Sequence, residues 1–365
     1  MNTLPVPFGV YLHIPFCVHR CGYCAFATWS DRHHLESEYL NALELDIRRA
    51  TELGMPQASS IFVGGGTPSL VSPDRLSAVI ASIACYEGAE ITVECNPDDV
   101  SVDLLAEFRA AGVNRISLGV QSTIPHVLGS LDRTHNVENV QTAVECIRSV
   151  GMSSFNLDLI YGTAGEMVDE WRSCLFELLE YDPPHISAYA LTVEPGTPLA
   201  EQRDRHPDDD DQADKYVVAD EMLSAAGLKN YEVSNWAQPG HECRHNLLYW
   251  RQQNYRGFGC AAHSHEDGRR WWNVRTPDRY ISLVRNGENV EAASEILDRE
   301  TREFERLELQ LRLRDGVDRQ SLDGEALAGL VELVNDRWVL TRDGRLMANE
   351  ISTRLIVSPT VARDD

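Results

Sequence analysis

No stretch of the 365-residue chain approaches the run of about eighteen apolar residues that spans a bilayer, which argues against a helical membrane protein. The opening residues, MNTLPVPFGVYLHIPF, lack both a basic patch and a small-residue cleavage site, so no secretory leader is expected. Basic charge is also scarce. Lys and Arg number 33 against 57 Asp and Glu, a formal net charge of -24. This balance opposes binding to nucleic acid phosphates or anionic lipid headgroups and favours solubility. The nine cysteines are an odd number in a chain without a leader, so a complete disulfide framework accounts for them poorly. The expectation is a soluble, cytoplasmic protein with reduced thiols, some of them ligands.

The thiols that are present cluster near the start. In HIPFCVHRCGYCAFATW, Cys17, Cys21 and Cys24 follow a C-x3-C-x2-C order. A structural zinc site needs four ligands, and a ribbon would supply a second C-x2-C or H-x3-5-H pair; none follows at that spacing. Cys85, Cys95, Cys146, Cys174, Cys243 and Cys260 are scattered, mostly inside apolar stretches, where burial as small hydrophobes is the default. Three thiolates on one loop instead suit a [4Fe-4S] cluster with one iron left to a non-protein ligand.

The length allows one large domain and a smaller one. Short apolar runs at Val10 to Ile14, Ile61 to Val63, Ile91 to Glu94, Arg115 to Val120, Phe155 to Ile160 and Ile186 to Thr192 alternate with segments of helical periodicity, such as SEYLNALELDIRRATEL. Six such β/α cycles predict an α/β fold with a parallel sheet, open because eight would be needed to close a barrel. The acidic EQRDRHPDDDDQADKY reads as a solvated loop followed by a helix. After an aromatic- and glycine-rich segment, the stretch from about Ser294 carries the helix RETREFERLELQLRLRDG. Next come a second helix in LAGLVELV, a short strand at Trp338 to Leu340 and a turn at RDG.

Several residues stand where ligands bind. Gly64, Gly65 and Gly66 either form a plain strand-to-helix turn or let a ligand approach the backbone and its amide hydrogens. Glu94, Gln121 and Asp158 each end or nearly end an expected strand, where polar side chains face a barrel mouth; capping and solvation are the alternatives. Tyr11 and His13 share a face of the first strand, which suits a supporting role beside the loop. In HNLLYW, His245 and Tyr249 share a helical face. His245 could give an imidazole to a metal, with Tyr249 and Trp250 packed on a flat ligand, or it could simply be a packed, hydrogen-bonded histidine. Cys243 is a competing thiolate. GFGCAAH lacks the third glycine and following acid of a dinucleotide loop and is assigned to a turn near His263.

The C-x3-C-x2-C motif directly after GVYLHIPF resembles the signature of radical S-adenosylmethionine (SAM) proteins, in which the amino and carboxylate groups of SAM chelate the open iron. FVGGGTPS, VECNP, RISLGVQS, LDRTHN, NLDLIYG and EVSNWAQPGHECRHNLLYW extend the likeness to the oxygen-independent coproporphyrinogen III dehydrogenase superfamily, and within it to the HemW-type heme chaperones. The resemblance implies a partial (β/α)6 radical SAM barrel over 1–200, an accessory segment over 201–293 and a winged-helix-like domain over 294–365. It implies SAM held by Gly64, Gly65, Gly66 and Thr67 at its amino end, with Glu94 and Tyr11 also in that site. Gln121 and Asp158 would bond the ribose, Arg133 the carboxylate, for which a planar two-pronged donor is suited, and Tyr23 would pack near the adenine.

Two departures separate the chain from the dehydrogenase pattern. Phe26 stands where that pattern places a fourth cysteine, and only nine residues precede Val10 where the dehydrogenase has a long extension. HNLLYW matches the H-N-x-x-Y-W motif of the chaperone branch. The resemblance therefore implies a chaperone that binds heme and a SAM-chelated cluster and delivers heme to a respiratory hemoprotein, including one at the membrane. The rivals are a radical SAM enzyme acting on a tetrapyrrole and a winged-helix regulator with a redox-sensing cluster; the acidity of the chain disfavours the regulator.

Overall fold

The computed structural model describes residues 7–357. Six parallel strands follow one another in both sequence and space: β1 (Phe8–Ile14), β2 (Ala58–Gly65), β3 (Cys85–Cys95), β4 (Arg115–Gln121), β5 (Ser154–Tyr161) and β6 (His185–Ala190). Their side chains are buried almost throughout, as expected of parallel strands covered by helices. The helix Glu36–Glu52 turns Tyr39, Leu40, Leu43, Ile47 and Ala50 inward, a three- and four-residue spacing that places one apolar face on the sheet. Side-chain caps start further helices. Ser101 accepts from the Leu104 amide, and Asn136 forms a reciprocal capping pair with Asn139.

The sheet does not stop at six strands. β7 (Lys229–Glu232) and β8 (Asn235–Ala237) add antiparallel to β6, while β9 (Asn254–Phe258) pairs parallel with β1. β10 (His263–Glu266), β11 (Arg269–Asn273) and β12 (Glu291–Ile296) then extend it antiparallel. The resulting twelve-stranded sheet ends on β12 and β7. The segment expected to be accessory thus flanks the six-strand core on both edges. The expected division after residue 293 falls inside β12, and the chain leaves the sheet only after Ile296.

The acidic stretch runs as loop and a short helical turn as far as Asp208, where its carboxylates favour a helix start. Asp208 caps the helix Asp209–Ala225, and Asp209, Asp210 and Asp211 occupy its first turn, where the helix dipole favours negative charge. In the same helix, fully buried Lys215 pairs with Asp211 and Glu166.

Beyond the helix Arg299–Leu311, a separate apolar cluster forms around Leu307, Leu311, Val317, Leu322, Trp338 and Ile351. It contains an antiparallel sheet of β13 (Val317–Asp318), β14 (Val331–Val334) and β15 (Arg337–Leu340), with β15 in the middle. The helix expected in LAGLVELV is therefore β14. Gly329 breaks the chain direction at positive φ, and Asn335 and Asp336, at φ 50° and 64°, form the two-residue turn that joins β14 to β15. The RDG expected as a turn is instead helical, because Thr341 caps Arg342–Leu346.

Asp336→Gly, which adopts a positive φ freely, should leave the denaturation midpoint unchanged or higher. Asp336→Val should cost about 1–2 kcal/mol, because a β-branched residue is disfavoured at that φ. Chemical denaturation of the two variants distinguishes these outcomes.

Candidate functional site

The loop after β1 is pinned at both ends by backbone. Trp29 N donates to Pro15 O at 2.7 Å, and Cys17 N donates to Trp29 O at 3.2 Å. Past the end of β2 the ladder continues: Gly66 N donates to Ile14 O at 2.7 Å and Thr67 N to Phe16 O at 2.8 Å. The glycine turn is therefore laid directly along the cysteine loop. A Cβ on Gly66 would stand 2.5 Å from Phe16 O and 3.0 Å from Cys17 Sγ, and one on Gly65, at φ 113°, would strike the His13 ring. Glycine is required at both positions by close approach.

Cys17, Cys21 and Cys24 are free and partly exposed, and all three line one cavity of about 540 Å3. Thr67 Oγ1 lies 3.7 Å from Cys17 Sγ, and the Cys21 thiol faces the Asp132 carbonyl at 3.8 Å. Asp132 also accepts from Gly22 N at 2.7 Å through its carboxylate. Burial raises Cys17 and Cys24 above the ordinary thiol range, opposed by the Thr67 hydroxyl at Cys17 and the Phe26 amide at Cys24. Among the described residues no three His, Cys, Asp or Glu side chains gather to hold a single metal ion. Three thiols sharing a cavity wall are a donor set that fits an iron–sulfur cluster with one iron left free.

The same cavity collects Tyr23, Gly65, Gly66, Thr67, Glu94, Gln121, Arg133 and Asp158 from the ends of the strands and the loops behind them. Gly64 lies beneath, against the Glu94 carboxyl. Arg133 is fixed by donating to Asn96 Oδ1 at 2.6 Å and Gly119 O at 3.0 Å. Asp158 accepts from Ser117 Oγ and Asn156 Nδ2, both at 2.8 Å. Glu94 accepts from Gly65 N at 3.1 Å, yet burial, reinforced by the Asp158 charge, pushes its carboxyl up to about 8. The lining thus offers a guanidinium and an acid readily ionised by an incoming cation. Asn96 and Asp132, adjacent to expected site residues in ECNP and LDR, were not singled out by sequence; only that adjacency pointed to them.

A second cavity of about 840 Å3 adjoins the first, sharing Ala25, Phe26, Gly65, Glu94, Ser117, Asp158 and Tyr189 as lining. Its other walls bring together five aromatic side chains, Tyr11, Phe62, Tyr249, Tyr255 and Trp272, and a polar region with Arg115, Asn156, His185 and Ser187. His263 and Arg275 line it too, and sequence reasoning assigned neither to a site. Phe26, 63% exposed, contributes to both cavities.

His13 is buried with both ring nitrogens engaged. Its Nε2 donates to Ala27 O at 2.9 Å, and its Nδ1 pairs with the Tyr11 hydroxyl at 3.1 Å; burial lowers it to about 4. It ties the loop to β1, whereas Tyr11, expected in the SAM site, lines the larger cavity and not the thiol-lined one.

The HNLLYW segment is helical, Arg244–Trp250, but its histidine does not face a cavity. His245 is fully buried, with Nδ1 on Ser60 Oγ at 2.9 Å and Nε2 on the Tyr249 hydroxyl at 2.8 Å. Burial lowers it to about 3. Neither nitrogen is open to iron, so the packed, hydrogen-bonded alternative describes this residue. The reason is the buried Glu90 carboxylate, which accepts from the Arg244 and His245 amides and draws the helix start into the core. Tyr249 lines the larger cavity, whereas Trp250 packs under the Arg312 guanidinium at 4.8 Å. Cys243 also lines the larger cavity, but its thiol faces Glu90 at 3.6 Å and burial pushes it up to about 12, so it is not a ready thiolate. Cys95, Cys174 and Cys260 are core residues as expected.

A family model described as the radical SAM superfamily matches residues 11–178. Curated heme chaperones HemW are similar along nearly the whole chain. The protein of Mycobacterium tuberculosis is 39% identical, covering 96% of this chain and 95% of its own. That of Escherichia coli is 35% identical, covering 96% and 98%, and that of Bacillus subtilis 34%, covering 94% and 97%. The coproporphyrinogen III oxidase (HemN) of Escherichia coli, a radical SAM enzyme, superposes with a TM-score of 0.82 over 95% of this chain and 89% of that one. At 23% identity it is a likeness of fold. No helix among the described residues is long and apolar enough to cross a membrane.

Two outcomes test this geometry. His245→Ala leaves the Ser60 and Tyr249 hydroxyls unpartnered beside a void, a loss of about 2–4 kcal/mol by chemical denaturation. Glu94 holds a proton in the folded chain that the unfolded chain releases, so its contribution to stability declines as pH rises from the ordinary carboxyl range to about 8. Glu94→Gln should flatten the fall in stability over that interval.

Proposed function

The chain belongs to the HemW heme chaperone family of the radical SAM superfamily, and from that we propose that it binds heme together with a SAM-chelated [4Fe-4S] cluster and passes heme to a respiratory hemoprotein. The observation that carries this reading is the pair of adjoining cavities, one lined by three thiols and the other larger, with five aromatic side chains among its polar ones. A volume of about 840 Å3 lies within the range of pockets that enclose sizeable organic ligands, and aromatic walls suit a flat porphyrin. We place the protein in the cytoplasm, with its recipient at or near a membrane.

In this reading Cys17, Cys21 and Cys24 hold the cluster. When bound, it supplies an iron with an open position for the amino and carboxylate groups of SAM. Arg133, its orientation set by Asn96 and the Gly119 carbonyl, would hold the SAM carboxylate. Glu94, whose carboxyl burial pushes up to about 8, would face the SAM ammonium, and Gly65 and Gly66 would permit the approach. Asp158 and Gln121 accept the ribose hydroxyls, with Ser117 and Asn156 steadying Asp158. Tyr23 packs beside the adenine.

A second reading, a radical SAM enzyme acting on a tetrapyrrole, is favoured by the same adjoining cavities, which would set a substrate next to the SAM site. Phe26, where the dehydrogenase pattern has its fourth cysteine, stands against the coproporphyrinogen III dehydrogenase form of this reading and not against a heme-degrading enzyme.

Replacing any of Cys17, Cys21 or Cys24 with Ala should abolish the cluster, measured as iron and sulfide per chain after anaerobic reconstitution, whereas Cys174→Ala should retain it. Arg133→Lys keeps the charge but loses the paired planar donors, so SAM affinity should fall roughly tenfold with the cluster intact. The reconstituted parent should bind heme and fail to convert coproporphyrinogen III to protoporphyrinogen IX when incubated with SAM and a reductant. Catalytic product by chromatography would replace the chaperone reading with the enzyme.

A further inference from the structure

We propose that His263 is the side chain that ligates heme iron, from the wall of the larger cavity. The inference rests on the heme-binding reading above and goes beyond it by naming the iron ligand, which the HNLLYW motif does not present.

Elimination among the donors of this wall carries the argument. Three histidines line the cavity: His13, His185 and His263. Both ring nitrogens of His13 are taken by Tyr11 and Ala27. Those of His185 are taken by Asn156 Oδ1 at 2.6 Å and the Tyr231 hydroxyl at 2.8 Å. His245 lies outside the lining, held by Ser60 and Tyr249. The one thiol on the wall, Cys243, is buried against the Glu90 carboxylate. Tyr11, Tyr189, Tyr249 and Tyr255 offer phenols whose burial favours the protonated form over the phenolate that iron takes.

His263 differs from all of these. It is the first residue of β10, exposed, and among the described residues nothing hydrogen-bonds its ring. Its imidazole stacks on Trp272, the residue opposite it on β11, with ring centres 5.7 Å apart and planes 26° from parallel. That contact orients the ring without occupying either nitrogen. Arg275, exposed on the same wall and without an ion pair among the described residues, is suited to a porphyrin carboxylate. Ligation forms an iron–nitrogen bond and displaces water from the iron; no electron is transferred.

The test is a hemin titration of the full chain, followed by Soret absorption and electron paramagnetic resonance of the ferric complex. His263→Ala should lose the imidazole signature and bind hemin roughly tenfold more weakly, and free imidazole should restore the parent spectrum. His34→Ala, a surface histidine away from both cavities, should match the parent. If the parent binds hemin and His263→Ala shows the same spectrum, the ligand assignment falls while the heme reading stands. Loss of the signature in folded His245→Ala or Cys243→Ala, with His263→Ala unaffected, overturns it as well. A parent that takes up no hemin overturns the heme reading and this inference with it.

Discussion

The arrangement depends on one close approach of backbone to backbone. β1 and β2 run parallel with His13 opposite Gly64 and Ile14 opposite Gly65, and the pairing continues past both strand ends through Gly66 and Thr67. A side chain at Gly66 would meet a carbonyl that cannot move without unzipping this ladder. The missing Cβ atoms bring Thr67 to Cys17 and let the His13 ring lie over Gly65. From there the same ring reaches Ala27 on the far side of the loop. The loop is thereby pinned at Cys17 and Trp29 by backbone hydrogen bonds, while between them Asp132 holds Gly22 and a turn bond joins Cys24 to Cys21. Rigid backbone of this kind limits the entropy lost when a ligand orders the loop.

A second buried polar system ties the outer strands to this core. Glu90, on β3, receives the amides at the start of the helix Arg244–Trp250, and His245 of that helix reaches Ser60 on β2. The helix leads into β9, which pairs with β1 on the side opposite β2. A carboxylate buried at a helix N-terminus is stabilised there by the amide hydrogens and the helix dipole. The extension that builds the larger cavity is thus registered against the strands that carry the smaller one. HNLLYW, read as a ligand motif, serves largely as this clamp, with Tyr249 the member that both holds His245 and lines the cavity.

How much of this was legible follows from how local each signal is. The six parallel strands announced themselves as apolar runs, because a strand covered on both faces must be apolar throughout. C-x3-C-x2-C and GGG were legible because their chemistry lies in a few adjacent residues. The outer strands were not: β11 reads RRWWN and β12 EAASEI, sequences whose strand character comes from pairing and one-sided exposure. β14 was mistaken for a helix because four residues hold too little periodicity to choose between the two. His245 was placed by neighbours 185 residues away in sequence, which no local pattern can encode.

The two histidines show what separates a packed residue from an available one. Both sit near aromatics, and it was the resemblance of HNLLYW to the chaperone motif, not the residues by themselves, that pointed to His245. An imidazole buried with two hydrogen bonds must give up one of them to bind a metal, leaving a hydroxyl unpartnered in the interior at about 1–3 kcal/mol. An imidazole on a cavity wall gives up only its contacts with water. His263 is in that second position, on a strand whose partner supplies Trp272 and whose neighbour β9 supplies Tyr255. The flat surfaces and the open nitrogen are therefore set by one sheet, the same sheet whose first strand leads into the cysteine loop. A ligand in the larger cavity thus touches elements continuous with the smaller one, and Glu94 and Asp158 line both.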